Sequence, residues 1–170
     1  TLTALAALAL ATPALAADEV TLQLKWVTQA QFAGYYVALE NGYYDDAGLD
    51  VTILAGGPDI APTQVIAGGG ADVVVEWMPA ALAARENGLP LVNIAQPFKS
   101  SGMMLTCWKD AGIESPADLG NRTLGVWFFG NEYPFLSWMS QLGLETTGKA
   151  EGSVEVLKQG FNVDPLLQRQ

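Results

Sequence analysis

The chain has no histidine and one cysteine, Cys107, among its 170 residues. A lone thiol excludes an internal disulfide, and without imidazole or a thiolate cluster no zinc site is credible. The same shortage removes the usual nucleophile, base and orienter sets of covalent catalysis. Positive charge is scarce as well: eight Lys and Arg stand against 18 Asp and Glu, for a formal net charge of −10. Nucleic-acid binding needs clustered basic residues. Here they are scattered, at Lys25, Arg85, Lys99, Lys109, Arg122, Lys149, Lys158 and Arg169. The triplet Gly68-Gly69-Gly70 has no Lys-Ser/Thr after it, so it is no phosphate-binding loop. Cys107 lies in the apolar run Met103-Met104-Leu105-Thr106-Cys107-Trp108 and reads as a buried core thiol, the usual state of free cysteine.

The two ends read differently from the middle. Thr1 to Ala17 is an uncharged Ala/Leu run closing on Ala14-Leu15-Ala16, the pattern of the apolar core and cleavage region of a secretory signal peptide. Asp18 and Glu19 end it short of the roughly 20 apolar residues a membrane span needs. Export to the periplasm is the expectation. About 150 residues then remain, enough for one domain and small for two. At the other end, Asp164-Pro165 reads as a helix start with Asp able to cap it. The chain reads as cut at both ends, with a C-terminal half missing.

Between the ends, periodicity predicts alternating strands and helices. Val20, Leu22, Leu24 and Trp26 alternate with polar residues over a strand from Val20 to Val27. Phe32, Tyr36, Leu39 and Tyr43 then follow helical spacing from residue 30 to 42, with Phe32 and Leu39 in the buried stripe and Gly42 as the stop. Further strands are expected at Leu49–Leu54, Asp72–Glu76, Leu91–Ala95, Met103–Lys109, Thr123–Phe128 and Val154–Leu157. The β-branched run at Asp72–Glu76 suits a strand covered on both faces. Helices are expected at about 60–67, from Pro79 to Gly88, from Asn131 to Leu142, and from Asp164. Gly56-Gly57-Pro58 reads as a turn, Ile113–Asn121 as a polar loop, and Asp45-Asp46 as a solvated pair. This order is that of βαβ units and a mainly parallel sheet, an α/β fold.

Open α/β sheets bind ligands beyond the carboxyl ends of their strands, which makes three turns the candidates. The first holds Trp26, Gln29, Gln31 and Tyr35: rings that stack on flat heterocycles and amides that pair with ring nitrogens and amino groups. The second holds Glu76 and Trp77, where a carboxylate can accept from an amino-substituted ring. The third, Trp127 to Pro134, holds Asn131, a candidate N-cap, and Glu132, which disfavours an anion at the helix start. Loops 27–31, 76–79 and 129–132 contain no basic residue, and two contain an acid. The reading is a site for a flat ligand, neutral or cationic.

The runs KWVTQAQFAGYYVALENGYYDDAGLDVTI, GGGADVVVEW and GLPLVNIAQ resemble periplasmic solute-binding proteins of ABC importers. Within these they look like the branch related to thiamine pyrimidine synthase, which includes carriers of thiamine pyrimidine precursors. The resemblance runs from Val20 to Gln170 and rests on W-x-x-x-x-x-F-A-G-Y-Y-V-A, then G-Y-Y and G-L-D-V. It implies a type II binding-protein fold of two α/β lobes closing about a hinge. Residues 18–99 would form the first lobe, 100–170 an incomplete second, and Lys99–Gly102 the first crossing. It implies a small-molecule ligand, permease and ATPase partners, and contact with the membrane only through the permease. No cofactor is implied for a carrier. The eukaryotic synthase of this family consumes its own histidine with pyridoxal phosphate and uses iron and a cysteine-rich motif. A chain without histidine and with Cys107 alone departs from that pattern. Among ligands of such carriers, an aminopyrimidine suits the aromatic, Gln, Glu and Asn set. Riboflavin needs a larger cleft of the same chemistry, and nitrate, sulfonates and taurine are disfavoured.

Overall fold

The computed structural model describes residues 16–170, so the expected leader lies almost wholly outside the described residues. Three parallel strands open the fold: β1 (Asp18–Gln23), β2 (Leu49–Leu54) and β3 (Val73–Val74), side by side in the order β2-β1-β3. The register runs from Asp18 opposite Leu49 to Gln23 opposite Leu54, with Leu22 and Gln23 opposite Val73 and Val74. A second sheet pairs β4 (Thr123–Val126) with β5 (Glu155–Lys158), again in parallel. Parallel neighbours require crossovers, and short helices supply them. After β1 a 3₁₀ turn, Ala30–Phe32, leads into α1 (Ala33–Glu40) and α2 (Tyr43–Asp46). Then come α3 (Pro62–Ala67) and α4 (Met78–Glu86) around β3, and α5 (Glu132–Gln141) and α6 (Asp164–Leu167) around β5. The expected α/β class with parallel sheets is what the chain forms.

Each sheet has its own core. Leu22, Leu24, Phe32 and Val51 are buried in the first, with Trp26, Tyr35, Tyr36 and Tyr44 packed on them. Leu119, Leu124, Val126, Phe135, Met139 and Val154 form the second. Each fully buried aliphatic or aromatic side chain contributes about 1.5–3 kcal/mol. Leu119 reaches its core from a 3₁₀ turn at Pro116–Leu119 inside the expected polar loop. The Ser115 hydroxyl and the Ser115 and Glu114 N–H groups all donate to Asp118 Oδ2, at 2.9, 2.8 and 3.1 Å. Led by the Ser115 side chain, these donors hold the Asp118 carboxyl below the ordinary carboxylate range.

Several expectations need correction. Leu91–Ala95 and Met103–Lys109 form no strands, apart from a 3₁₀ turn beginning at Lys109. Val92 and Met104 are 79% and 86% exposed. Apolar alternation makes a strand only where backbone groups find a partner, and neither segment is hydrogen-bonded to a described strand. Cys107, carried on the second of them, is exposed rather than buried. Leu39 is exposed too, because Phe32, Tyr35 and Tyr36 make the contact with the sheet and Leu39 lies outside that cluster. The run Asp72–Glu76 shortens to Val73–Val74, half-buried, with β1 as its one described partner. β1 ends at Gln23 because the chain turns over residues 25–28. At α6 the cap position belongs to Val163, and Asp164 falls in the first turn.

Candidate ligand-binding cleft

The end of β1 is fixed by the chain that follows β2. Leu24 N donates to Leu54 O at 2.8 Å, and Gly56 N donates to Trp26 O at 2.9 Å. The buried Gln23 amide adds bonds to the carbonyls of Leu24 and Ala55, at 2.9 and 3.1 Å. Gly56 has to be glycine here. A Cβ at that position would drive into the backbone of Leu24, Lys25 and Trp26.

Held in this way, Lys25 and Trp26 both cross to the second sheet. Lys25 Nζ lies 2.6 Å from Glu76 Oε1 at the end of β3, and donates to the Phe129 carbonyl beyond β4 at 3.1 Å. Both charged side chains are buried, at 8% and 5% exposure. Glu76 Oε1 also accepts from Trp77 N, at 2.8 Å. Trp26 meets Trp127 edge-on with ring centres 5.1 Å apart, and Phe161 at 6.4 Å. Trp127 in turn stacks on Phe129 at 5.1 Å.

The facing turn has its own device. Gly130 adopts φ +115°, and its N–H donates to Glu132 Oε2 at 2.7 Å. The Glu132 side chain, not Asn131, therefore takes up the free donor before α5. Asn131 occupies the cap position in helical conformation and makes no capping bond. A Cβ on Gly130 would come 3.0 Å from Trp77 Cδ1, so this turn also fits tightly against the start of α4.

The strand ends of the two sheets thus border one hollow of about 450 Å³, lined among others by Lys25, Gln64, Glu76, Phe129, Glu132 and Lys158. Its charged lining is two lysines and two glutamates, balanced overall. Lys158 sits 5.8 Å from the centre of the Phe128 ring. Clefts of this size with a few convergent polar groups hold small organic ligands. Among the described residues no group of three or more His, Cys, Asp and Glu is arranged to hold a metal.

The sequence-predicted residues fall into groups. Glu76 and Glu132 line the hollow. Trp26 lines neither hollow and packs edge-on against Trp127, which lines a second one, while the exposed Trp77 lies against Gly130. Asn131 lines a second hollow of about 390 Å³, beside Met103, Met104, Trp127 and Trp138. Gln29 and Gln31 are exposed and bonded to each other at 2.8 Å, apart from either hollow. Tyr35 packs against Phe32 in the first core, and burial, helped by Tyr44, raises its hydroxyl above the ordinary phenol value.

Reading the loops alone missed Lys25 and Lys158. The loops do lack basic residues, but the ends of β1 and β5 reach past them with these two side chains. A signal was present: Lys25 interrupts Leu24 and Trp26 as a lone charge within a buried segment.

Sequence and structure comparisons bear on the family and the fold. The family described as NMT1/THI5 like matches residues 29–170. A formylaminopyrimidine-binding protein of Halalkalibacterium halodurans is 30% identical over 148 residues, 87% of this chain and 44% of that protein. A 4-amino-5-hydroxymethyl-2-methylpyrimidine phosphate synthase of Legionella pneumophila is 27% identical over 108 residues, 64% of this chain and 34% of that protein. The chain thus spans less than half the length of both relatives. A solved structure described as a lipoprotein, from Actinomyces odontolyticus, superposes with a TM-score of 0.50 at 12% identity, over 89% of this chain and 65% of that one. That likeness is one of fold and agrees with a partial type II binding-protein fold. With a family match running from the turn after β1 to the last residue, the chain belongs to the NMT1/THI5-like family.

Proposed function

We propose that the chain belongs to the solute-binding component of an ABC importer that takes up a thiamine pyrimidine precursor or a similar flat heterocycle. The observation that carries this reading is the charge-balanced hollow where the strand ends of the two sheets meet, with Glu76, Phe128, Phe129 and Tyr133 in its lining. A neutral ring with amino and ring-nitrogen groups matches that lining, and a formylaminopyrimidine-binding relative supports the same class. In this reading residues 18–99 and 100–170 are parts of two lobes hinged at Lys99–Gly102. Closure over the ligand gives the permease and its ATPase a shape to recognise. The protein would work in the periplasm, not act as an enzyme, need no cofactor, and meet the membrane only through the permease.

A synthase-like enzyme of thiamine biosynthesis is the second reading, favoured by the names of relatives such as the Legionella protein. Against it, the chain has no histidine to donate. The resemblance makes that residue the source of ring atoms in the eukaryotic enzyme. Riboflavin is the alternative ligand. Nitrate, sulfonates and taurine stand behind it, although Lys25 and Lys158 bring more positive charge to the cleft than the loops alone suggest.

A thermal-shift panel on the full-length protein separates these readings. Hydroxymethylpyrimidine or its formylamino relative should give saturable stabilisation, about 2.7 kcal/mol at a hundredfold excess over Kd. Saturable stabilisation by nitrate or taurine with none from either pyrimidine would overturn the proposal.

A further inference from the structure

We propose that Lys25 and Glu76 together form a donor–acceptor edge that selects ligands carrying an N=C–NH₂ group. This rests on the reading of the hollow as a heterocycle site and assigns the selecting atoms within it. A lysine ammonium has three N–H donors and a carboxylate two acceptor oxygens. Lys25 pairs its charge with Glu76 Oε1 and donates one N–H to the Phe129 carbonyl. Glu76 Oε1 takes up Lys25 and Trp77 N, while Oε2 has no partner among the described residues. The pair therefore retains at least one uncommitted N–H and one uncommitted oxygen on groups in contact, both bordering the same hollow. A ring nitrogen next to an exocyclic amine offers the matching acceptor and donor. Nitrate, a sulfonate or an aliphatic amine does not offer both on atoms joined through one carbon.

Burial makes such an edge selective. A ligand that enters without filling it leaves a desolvated donor and acceptor unpaired, and sites built to bond a polar group reject analogues lacking it far more strongly than they reject a change of shape. The contact to Phe129 adds a positioning role, because the same ammonium that faces the ligand ties the β4–α5 turn to the end of β1. A clasp of that kind explains a buried ion pair without any ligand, so the experiment has to tell the two roles apart.

Calorimetric titration of the full-length protein with 4-amino-2-methylpyrimidine and with 2,4-dimethylpyrimidine does so, since methyl replaces amine with little change of shape. The wild type should prefer the amino compound by about tenfold or more, as expected when bonds to charged groups are lost. In Lys25→Met/Glu76→Met, which replaces the pair with apolar side chains, the preference should fall to within about threefold. Glu76→Gln preserves shape and provides a second route if the double variant folds poorly; it too should lose most of the preference. An undiminished preference in either folded variant would leave Lys25 and Glu76 as a structural clasp alone and overturn the inference. Equal binding of the two compounds by the wild type would overturn it as well, with the heterocycle site intact. Binding of neither would sink both that site and this assignment.

Discussion

Two stretches of this chain look alike as sequence and end up in opposite states. Residues 18–36 and 91–108 are both apolar, aromatic-bearing runs that contain strand-like patterning, at Val20–Val27 in the first and at Leu91–Ala95 and from Met103 in the second. The first becomes β1 and the turn beyond it, flanked by β2 and β3, with Leu22, Leu24 and Phe32 buried. The second runs as irregular chain with Val92, Ile94 and Met104 exposed. The difference lies in what stands beside them. β1 has a backbone partner on each side and a helix turn delivering Phe32 onto it, so its alternation is rewarded twice, in hydrogen bonds and in burial. The 91–108 segment is hydrogen-bonded to no described strand. Hydrophobic pattern proposes a strand, and a neighbour makes it one.

Breaking the first region should cost the most. Gly56→Val places a branched side chain against the Leu24–Trp26 backbone and should lower stability by at least about 3 kcal/mol. Urea titration followed by circular dichroism would register the loss, and an unchanged midpoint would mean that β1 does not depend on that close approach. A matched pair of truncations sharpens the contrast. Leu24→Ala, at a fully buried site, should cost about 2–5 kcal/mol. Met104→Ala, at an exposed one, should stay within about 0.5 kcal/mol. Similar costs for both would mean that the second segment is packed after all.

The smallest effect concerns the local turn that delivers Leu119 to the second core. Asp118 has its carboxyl held below the ordinary range in the folded state, first by the Ser115 side chain. Its contribution is therefore full above the unfolded-state value and fades as pH falls through the folded one. The melting-temperature gap between the parent chain and Asp118→Ala should narrow on acidification below the ordinary carboxylate range. A gap that stays constant with pH would remove Asp118 as the capping group.

Much of the fold was legible because its signals are local. Leu49–Leu54 has the bounds of the expected strand, and the expected helices at 60–67, 79–88 and 131–142 appear with slightly shifted ends. What was not legible depends on contacts between distant parts. Nothing in residues 91–108 announces the lack of a backbone pairing partner, and Cys107 follows its segment into solvent. Of the candidate site, the strand-end logic led to Glu76 and Glu132, both in the hollow. Gln29 and Gln31 were chosen for their amide chemistry, but their bond to each other lies outside it. Lys25 escaped because alternation assigns it to the face opposite Leu24 and Trp26 without saying that this face is also covered. The partner that covers it, Phe129, lies 104 residues further along the chain.

The central claim is that the hollow bordered by Lys25, Glu76 and Phe129 is the heterocycle site. A crystal structure of the full-length protein with 4-amino-5-hydroxymethyl-2-methylpyrimidine tests it most directly. The account predicts the ring in that hollow, with its amino group within hydrogen-bond distance of Glu76 Oε2. A ring bound elsewhere, or in the hollow with its amino group turned away from Glu76, would contradict it.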